Sequence, residues 1–165
     1  YILDILKKMG GKIEIKNKRI INNEPVADIH VKSSTLKAIR IKPSEVPLLI
    51  DEIPILSIAC ACANGVSTIS GVSELRHKES DRIKSLCDNF KILGVKVEEQ
   101  SDGLVIYGNN QLSGGSIDCF NDHRIAMSFL ILGLISKKEL EVKNTECINT
   151  SFPEFIDILE SLKYE

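Results

Sequence analysis

Asp4-Ile5-Leu6-Lys7-Lys8-Met9-Gly10-Gly11-Lys12-Ile13-Glu14 returns 84 positions later as Asp88-Asn89-Phe90-Lys91-Ile92-Leu93-Gly94-Val95-Lys96-Val97-Glu98. Each copy reads as the end of an amphipathic helix, a glycine stop and an alternating strand. In the first copy Ile2, Ile5, Leu6 and Met9 share one helix face. Each copy then leads through a hairpin to a further strand, and from there to an Asp (Asp51, Asp122) at the head of an apolar helix. Leu159-Glu160-Ser161-Leu162-Lys163 resembles a third, truncated copy. A repeat of this length is a whole supersecondary unit that stacks on its neighbours to share a core.

The helices that follow Asp51 and Asp122 decide which layer lies inside. Residues 52–64 carry Ile53, Ile55, Leu56, Ile58, Ala59 and Ala61, apolar nearly all round, and residues 124–135 are similar. A helix without a polar face must be covered on most sides. The reading is therefore α/β: repeated α/β units with buried helices and outer sheets, forming one domain over residues 1–165. Further helices are expected at residues 1–9, 81–93 and 152–162. Strands are expected at 12–16, 27–32, 36–42, 66–70, 95–99, 104–107, up to 119, and 138–143, with Asp102-Gly103 as a hairpin turn.

Composition narrows the function classes. Lys and Arg number 21 against 23 Asp and Glu, so no global basic field invites nucleic acid. Aromatics are only 5%, which gives no stacking platform for bases. The longest apolar run, residues 125–135, falls short of the ~18 residues of a membrane span. Cys60, Cys62, Cys87, Cys119 and Cys147 form no zinc-like pattern with His30, His77 or His123, and read as small core residues in a reducing, cytoplasmic setting. The expectation is a soluble protein with no metal. The chain opens inside a helical pattern without a starting Met and reads as part of a longer one.

Charge gathers at two helix starts, Lys78-Glu79-Ser80-Asp81-Arg82 and Asn121-Asp122-His123-Arg124. Ser80, Asp81, Asn121, Asp122 and Asp51 are all residue types that cap helices. Capping does not explain Lys78, Glu79 and Arg82 within one turn, nor Arg124 opening an apolar helix. Arginine forks bind carboxylates and phosphates bidentately, and helix N-termini add unpaired N–H groups and a favourable dipole. Stacked repeats bring equivalent helix starts to one end of the domain. The pattern points to a mouth for small, highly anionic substrates.

Four motifs in order carry a resemblance: Asp51-Glu52-Ile53-Pro54-Ile55-Leu56; Glu74-Leu75-Arg76-His77-Lys78-Glu79-Ser80-Asp81-Arg82; Asn121-Asp122-His123-Arg124-Ile125-Ala126-Met127; and Thr150-Ser151-Phe152-Pro153. With Glu24-Pro25-Val26-Ala27-Asp28, they make the whole chain similar to the 5-enolpyruvylshikimate-3-phosphate synthase family, over its C-terminal portion. The resemblance implies transfer of the enolpyruvyl group of phosphoenolpyruvate to the 5-hydroxyl of shikimate 3-phosphate, in a cytoplasmic, monomeric, glyphosate-targeted enzyme without cofactor. It implies a partner too, the enzyme's own N-terminal domain across the cleft. Asp51 would bind shikimate 3-phosphate and accept its 5-hydroxyl proton. Glu79 would protonate the methylene carbon of phosphoenolpyruvate. Lys78 would contact shikimate 3-phosphate, Arg82 and Arg124 would clamp phosphoenolpyruvate, and His123 would support that end of the pocket. Thr150 stands where some members have lysine, and Glu74 and His77 where others have Asn and Val. The alternatives are the sister transferase acting on UDP-N-acetylglucosamine, or a non-catalytic module of the same fold.

Overall fold

The computed structural model describes residues 1–108 and 112–162; Lys163 of the third repeat copy lies outside them. Helix α1 (Ile2–Lys8) leads into the hairpin β1 (Lys12–Ile21) and β2 (Glu24–Lys32). After β3 (Arg40–Ile41) and two 3-10 turns comes α2 (Ile53–Cys62), then β4 (Val66–Ser70), a 3-10 turn (Ser73–His77) and α3 (Arg82–Ile92). The second round adds β5 (Val97–Gln100), β6 (Gly103–Tyr107), β7 (Gly115–Asp118), α4 (His123–Gly133) and β8 (Leu140–Lys143). A 3-10 turn (Thr145–Thr150) and α5 (Phe155–Ser161) follow.

The expected layering holds. Ile53, Leu56, Ile58, Cys60 and Ala61 of α2 are buried, as are Ile125, Ala126, Phe129 and Leu132 of α4. The two helices pack together at the centre. Phe90 of α3 meets Phe129 of α4 with ring centroids 5.4 Å apart, a separation favourable for tilted aromatic pairs. The sheets lie outside, one four-stranded in the order β3-β4-β6-β5, and two of two strands, β1-β2 and β7-β8. Gly103 ends the β5–β6 turn because a Cβ there would run into the backbone carbonyl of Ile69 on β4.

The repeat shows what the complete sheet does for its hairpin. Ile13 pairs with Val31 in the first hairpin, as Val97 pairs with Ile106 in the second; Ile15–Ile29 likewise corresponds to Glu99–Leu104. Leu104 and Ile106 are fully buried, because β6 is paired with β4 and packed on α2. Their counterparts Ile29 and Val31 are 50% and 67% exposed. Among the described residues, no strand lies along the outer edge of β2.

Several boundaries differ from the sequence reading. The β1–β2 pair is longer, because its register shifts between Lys16 and Arg19, with Asn17 at φ 50°. That bulge breaks the alternation which marks a strand in sequence. The expected strand over 36–42 shrinks to Arg40–Ile41 plus one bridge from Lys37 to Asn64. The cysteines divide. Cys60, Cys87 and Cys119 fill core, and burial pushes the first two thiols up to about 11 and the third up to about 12. Cys62, at the end of α2, is exposed, and Cys147 is half-buried 3.7 Å from the Cys119 sulfur. Cys147 still packs against the core, and Cys62 is not part of it.

Candidate active site

The starts of α2, α3 and α4 meet at Arg82. It is the first residue of α3, and its side chain is only 1% exposed. Its Nε donates to Asp122 Oδ2 at 2.8 Å, Nη1 to Asp51 Oδ1 at 3.3 Å, and Nη2 to Glu79 Oε2 at 2.6 Å. One guanidinium thus holds three carboxylates from three segments. A charge this deeply buried requires such partners, since desolvation would otherwise cost several kcal/mol.

The three carboxylates have different exposure and different work. Asp122 is fully buried and is the N-cap of α4, its Oδ1 accepting the N–H groups of Arg124 at 3.0 Å and Ile125 at 3.4 Å. Ser80 donates its hydroxyl to the other oxygen at 3.1 Å. Asp51 and Glu79 instead open to solvent, 44% and 47% exposed. They form the accessible rim above the buried charge.

Arg124 approaches Asp51 from the far side. Its Nη1 donates to the Asp51 backbone carbonyl at 2.9 Å, and its Nη2 lies 3.8 Å from Oδ2 of the same residue. Its side chain is 36% exposed. Asp51 and Arg124 head a cavity of about 160 Å³ walled by Ile55, Met127, Ile131 and Phe155. Lys78 forms a 2.6 Å ion pair with Glu74, which raises the lysine's pKa. His123 Nδ1 is 3.9 Å from Glu79 Oε1, a neighbour rather than a hydrogen-bond partner.

Every sequence-selected site residue therefore lies in one cluster, though not always in the expected role. Asp51 is no cap: it sits in the 3-10 turn Ile50–Glu52, and its carboxylate turns to the arginines instead. Ser80 and Asn121 do not cap either; Asp81 and Asp122 do. Phe120 and Asn121 both take positive φ, 54° and 56°, which swings Asp122 under the α4 start. Arg82 and Arg124 are not an equal pair, since Arg82 lies beneath the carboxylates and Arg124 beside them. Thr150 bonds its hydroxyl to the Cys147 carbonyl at 2.7 Å, closing its own turn. Sequence reading missed the buried ties of Asp122, whose only sequence signal was its place before an arginine-led apolar helix.

The chain that carries this arrangement, helix starts converging on exposed carboxylates backed by arginine, is similar to known proteins. The family model for EPSP synthase (3-phosphoshikimate 1-carboxyvinyltransferase) matches residues 1–159, and the chain belongs to that family. A 3-phosphoshikimate 1-carboxyvinyltransferase of Persephonella marina is 51% identical over 158 residues, which is 95% of this chain and 37% of that protein. The protein of the same name from a Sulfurihydrogenibium species is 49% identical over 157 residues, 95% of this chain and 36% of its own length. A solved EPSP synthase of Acinetobacter baumannii superposes with TM-score 0.90 at 43% identity, covering 97% of this chain and 38% of that one. The enolpyruvyl transferase NikO of Streptomyces tendae, at TM-score 0.69 and 16% identity, shares the fold. The chain spans less than two fifths of the length of the curated relatives it matches.

Proposed function

We propose that these residues are the C-terminal domain of an enzyme that moves the enolpyruvyl group of phosphoenolpyruvate onto the 5-hydroxyl of shikimate 3-phosphate, releasing phosphate. The observation that carries the reading is the pair of half-exposed carboxylates, Asp51 and Glu79, bonded to opposite ends of one buried guanidinium. Both relatives above bear the name 3-phosphoshikimate 1-carboxyvinyltransferase.

The chemistry requires two proton transfers at one carbon skeleton. Glu79 gives a proton to the methylene carbon of phosphoenolpyruvate while the 5-hydroxyl oxygen attacks C2, and Asp51 takes the hydroxyl proton. The adduct is a tetrahedral ketal phosphate. Glu79, now a carboxylate, removes a proton from the new methyl group as the C–O bond to phosphate breaks, and the proton held by Asp51 leaves with the phosphate. Two carboxylates in different protonation states are needed at the outset.

Arg82 holds both carboxylates in register from below and presents positive charge to the reacting centre. Arg124, with its exposed fork, takes the carboxylate or phosphate of phosphoenolpyruvate, an electrostatic grip that acts where charge develops. Lys78 exchanges Glu74 for the substrate, and His123 supports the Glu79 end of the pocket. No cofactor or metal enters this scheme. The second wall of the cleft, and most of the grip on the 3-phosphate, belong to the N-terminal domain of the longer enzyme. That enzyme is a cytoplasmic monomer in this reading; among the described residues no helix is long and apolar enough to cross a membrane.

Arg124→Ala in the complete enzyme tests the assignment. Phosphoenolpyruvate binding should weaken by about 2–5 kcal/mol, the range for truncating a charge-assisted contact, while shikimate 3-phosphate binding changes little. Calorimetric titration of each ligand separates the two. Equal weakening of both would make Arg124 a structural residue.

A further inference from the structure

Arg76 touches neither Asp51 nor Arg82, yet its side chain makes four hydrogen bonds. Nε donates to the Ser101 carbonyl at 2.9 Å and Nη2 to the Gln100 carbonyl at 2.6 Å. Nη1 donates to Asp81 Oδ2 at 2.8 Å and Glu99 Oε1 at 3.0 Å. The first two acceptors lie at the end of β5 and its turn, and Asp81 is the N-cap of α3, holding the Lys84 N–H with its other oxygen. One planar fork thus fastens the 3-10 turn Ser73–His77 to the β5–β6 hairpin and to the head of α3.

The segment it encloses carries the chemistry. Residues 78–81 belong to no helix or strand, so regular backbone pairing does not fix them. The Arg76–Asp81 bond closes them into a six-residue ring with Glu79 inside. We infer that Arg76 is a positioning residue, which holds the Lys78–Glu79 turn in the geometry needed for proton transfer without touching either substrate. This rests on the reading of Glu79 as the proton carrier. Lysine cannot replace Arg76, because an ammonium is a point charge and cannot reach four acceptors spread along a planar fork. A displacement of about 1 Å in a reacting group costs roughly 10²-fold in rate.

The test uses the full-length enzyme with Arg76→Lys, Arg76→Met, Glu79→Gln, and the combination of Arg76→Lys with Glu79→Gln. Hydrogen exchange read by mass spectrometry should quicken about tenfold or more over residues 77–81 in both single Arg76 variants, with residues 86–92 unchanged. Turnover should fall about 10- to 100-fold, with KM for phosphoenolpyruvate within about twofold, and Arg76→Lys should add little to Glu79→Gln. Unchanged exchange, or wild-type turnover in Arg76→Lys, would overturn the inference. So would fully multiplied losses in the combined variant, which would mean that Arg76 acts on something other than Glu79. Arg76→Lys keeps the charge and the aliphatic stem, and so carries the test if Arg76→Met does not fold. Should Glu79→Gln itself retain full turnover, the assignment of Glu79 fails, while the exchange measurement still decides whether Arg76 anchors the turn.

Discussion

Arg82→Met should lower the stability of this domain by about 3–5 kcal/mol, the cost of removing one partner from a buried ionic group. The substitution keeps the stem's volume but takes away the one cation that, among the described residues, is paired with Asp122, which is fully buried. Asp122 would retain two backbone N–H groups and the Ser80 hydroxyl, so its charge would be hydrogen-bonded yet uncompensated. Asp51 and Glu79 would lose their common counter-charge at the same time. Adding Asp122→Asn should recover part of the loss by removing the stranded charge, because residues in one network do not act additively. Urea unfolding followed by circular dichroism measures both variants. A loss below about 1 kcal/mol would show that the guanidinium is not the hub described.

The largest kinetic effects should come from Asp51→Asn and Glu79→Gln in the complete enzyme. Each should cut turnover by about 10²-fold or more, the scale of a lost general acid or base. Folding should survive, because each replacement keeps its shape, both side chains are half-exposed, and Arg82 keeps Asp122 in either case. The pairing of unchanged urea midpoint with lost phosphate release is the informative result. It separates these two carboxylates from Arg82, whose removal should damage stability and turnover together. Wild-type turnover in either variant would remove that carboxylate from the reaction.

Much of this was legible in sequence for a physical reason. Helices α2 and α4 lack a polar face, and that alone places them inside. The 84-residue repeat aligns α1 with α3 and the first hairpin with the second. Glycine stops and alternating strands gave β4 at its observed bounds, Val66–Ser70. The misses came where local pattern and tertiary demand diverge. The expected first strand stops at Lys16 because a bulge between Lys16 and Arg19 suspends the alternation that would have carried it on. Asp51 reads as a cap because Asp before an apolar helix usually is one; two arginines brought in by later segments compete for it and win.

The site divided in the same way. Its membership followed from charge crowded at helix starts together with the motifs of the family resemblance, which singled out Asp51 and His123; Asp51, Lys78, Glu79, Arg82, His123 and Arg124 do lie together. Its internal order did not follow. Nothing in Lys78-Glu79-Ser80-Asp81-Arg82 tells that Arg82 turns inward and Glu79 outward, because that depends on Asp122 reaching it from 40 positions away. Arg76 was passed over for a similar reason. Its partners Glu99, Gln100 and Ser101 come from a hairpin more than 20 residues on.

The central claim is that this domain supplies one wall of a two-walled site. In the open, Asp51, Glu79 and Arg124 face water, where charge interactions are several-fold weaker than in an enclosed cleft. The most direct measurement is phosphate release from phosphoenolpyruvate plus shikimate 3-phosphate by the purified 165-residue chain, alone and with the separately expressed N-terminal domain of the enzyme. The chain alone should unfold cooperatively and release no phosphate above background, and the added domain should bring turnover that Glu79→Gln abolishes. Sustained turnover by the 165 residues alone would contradict the account.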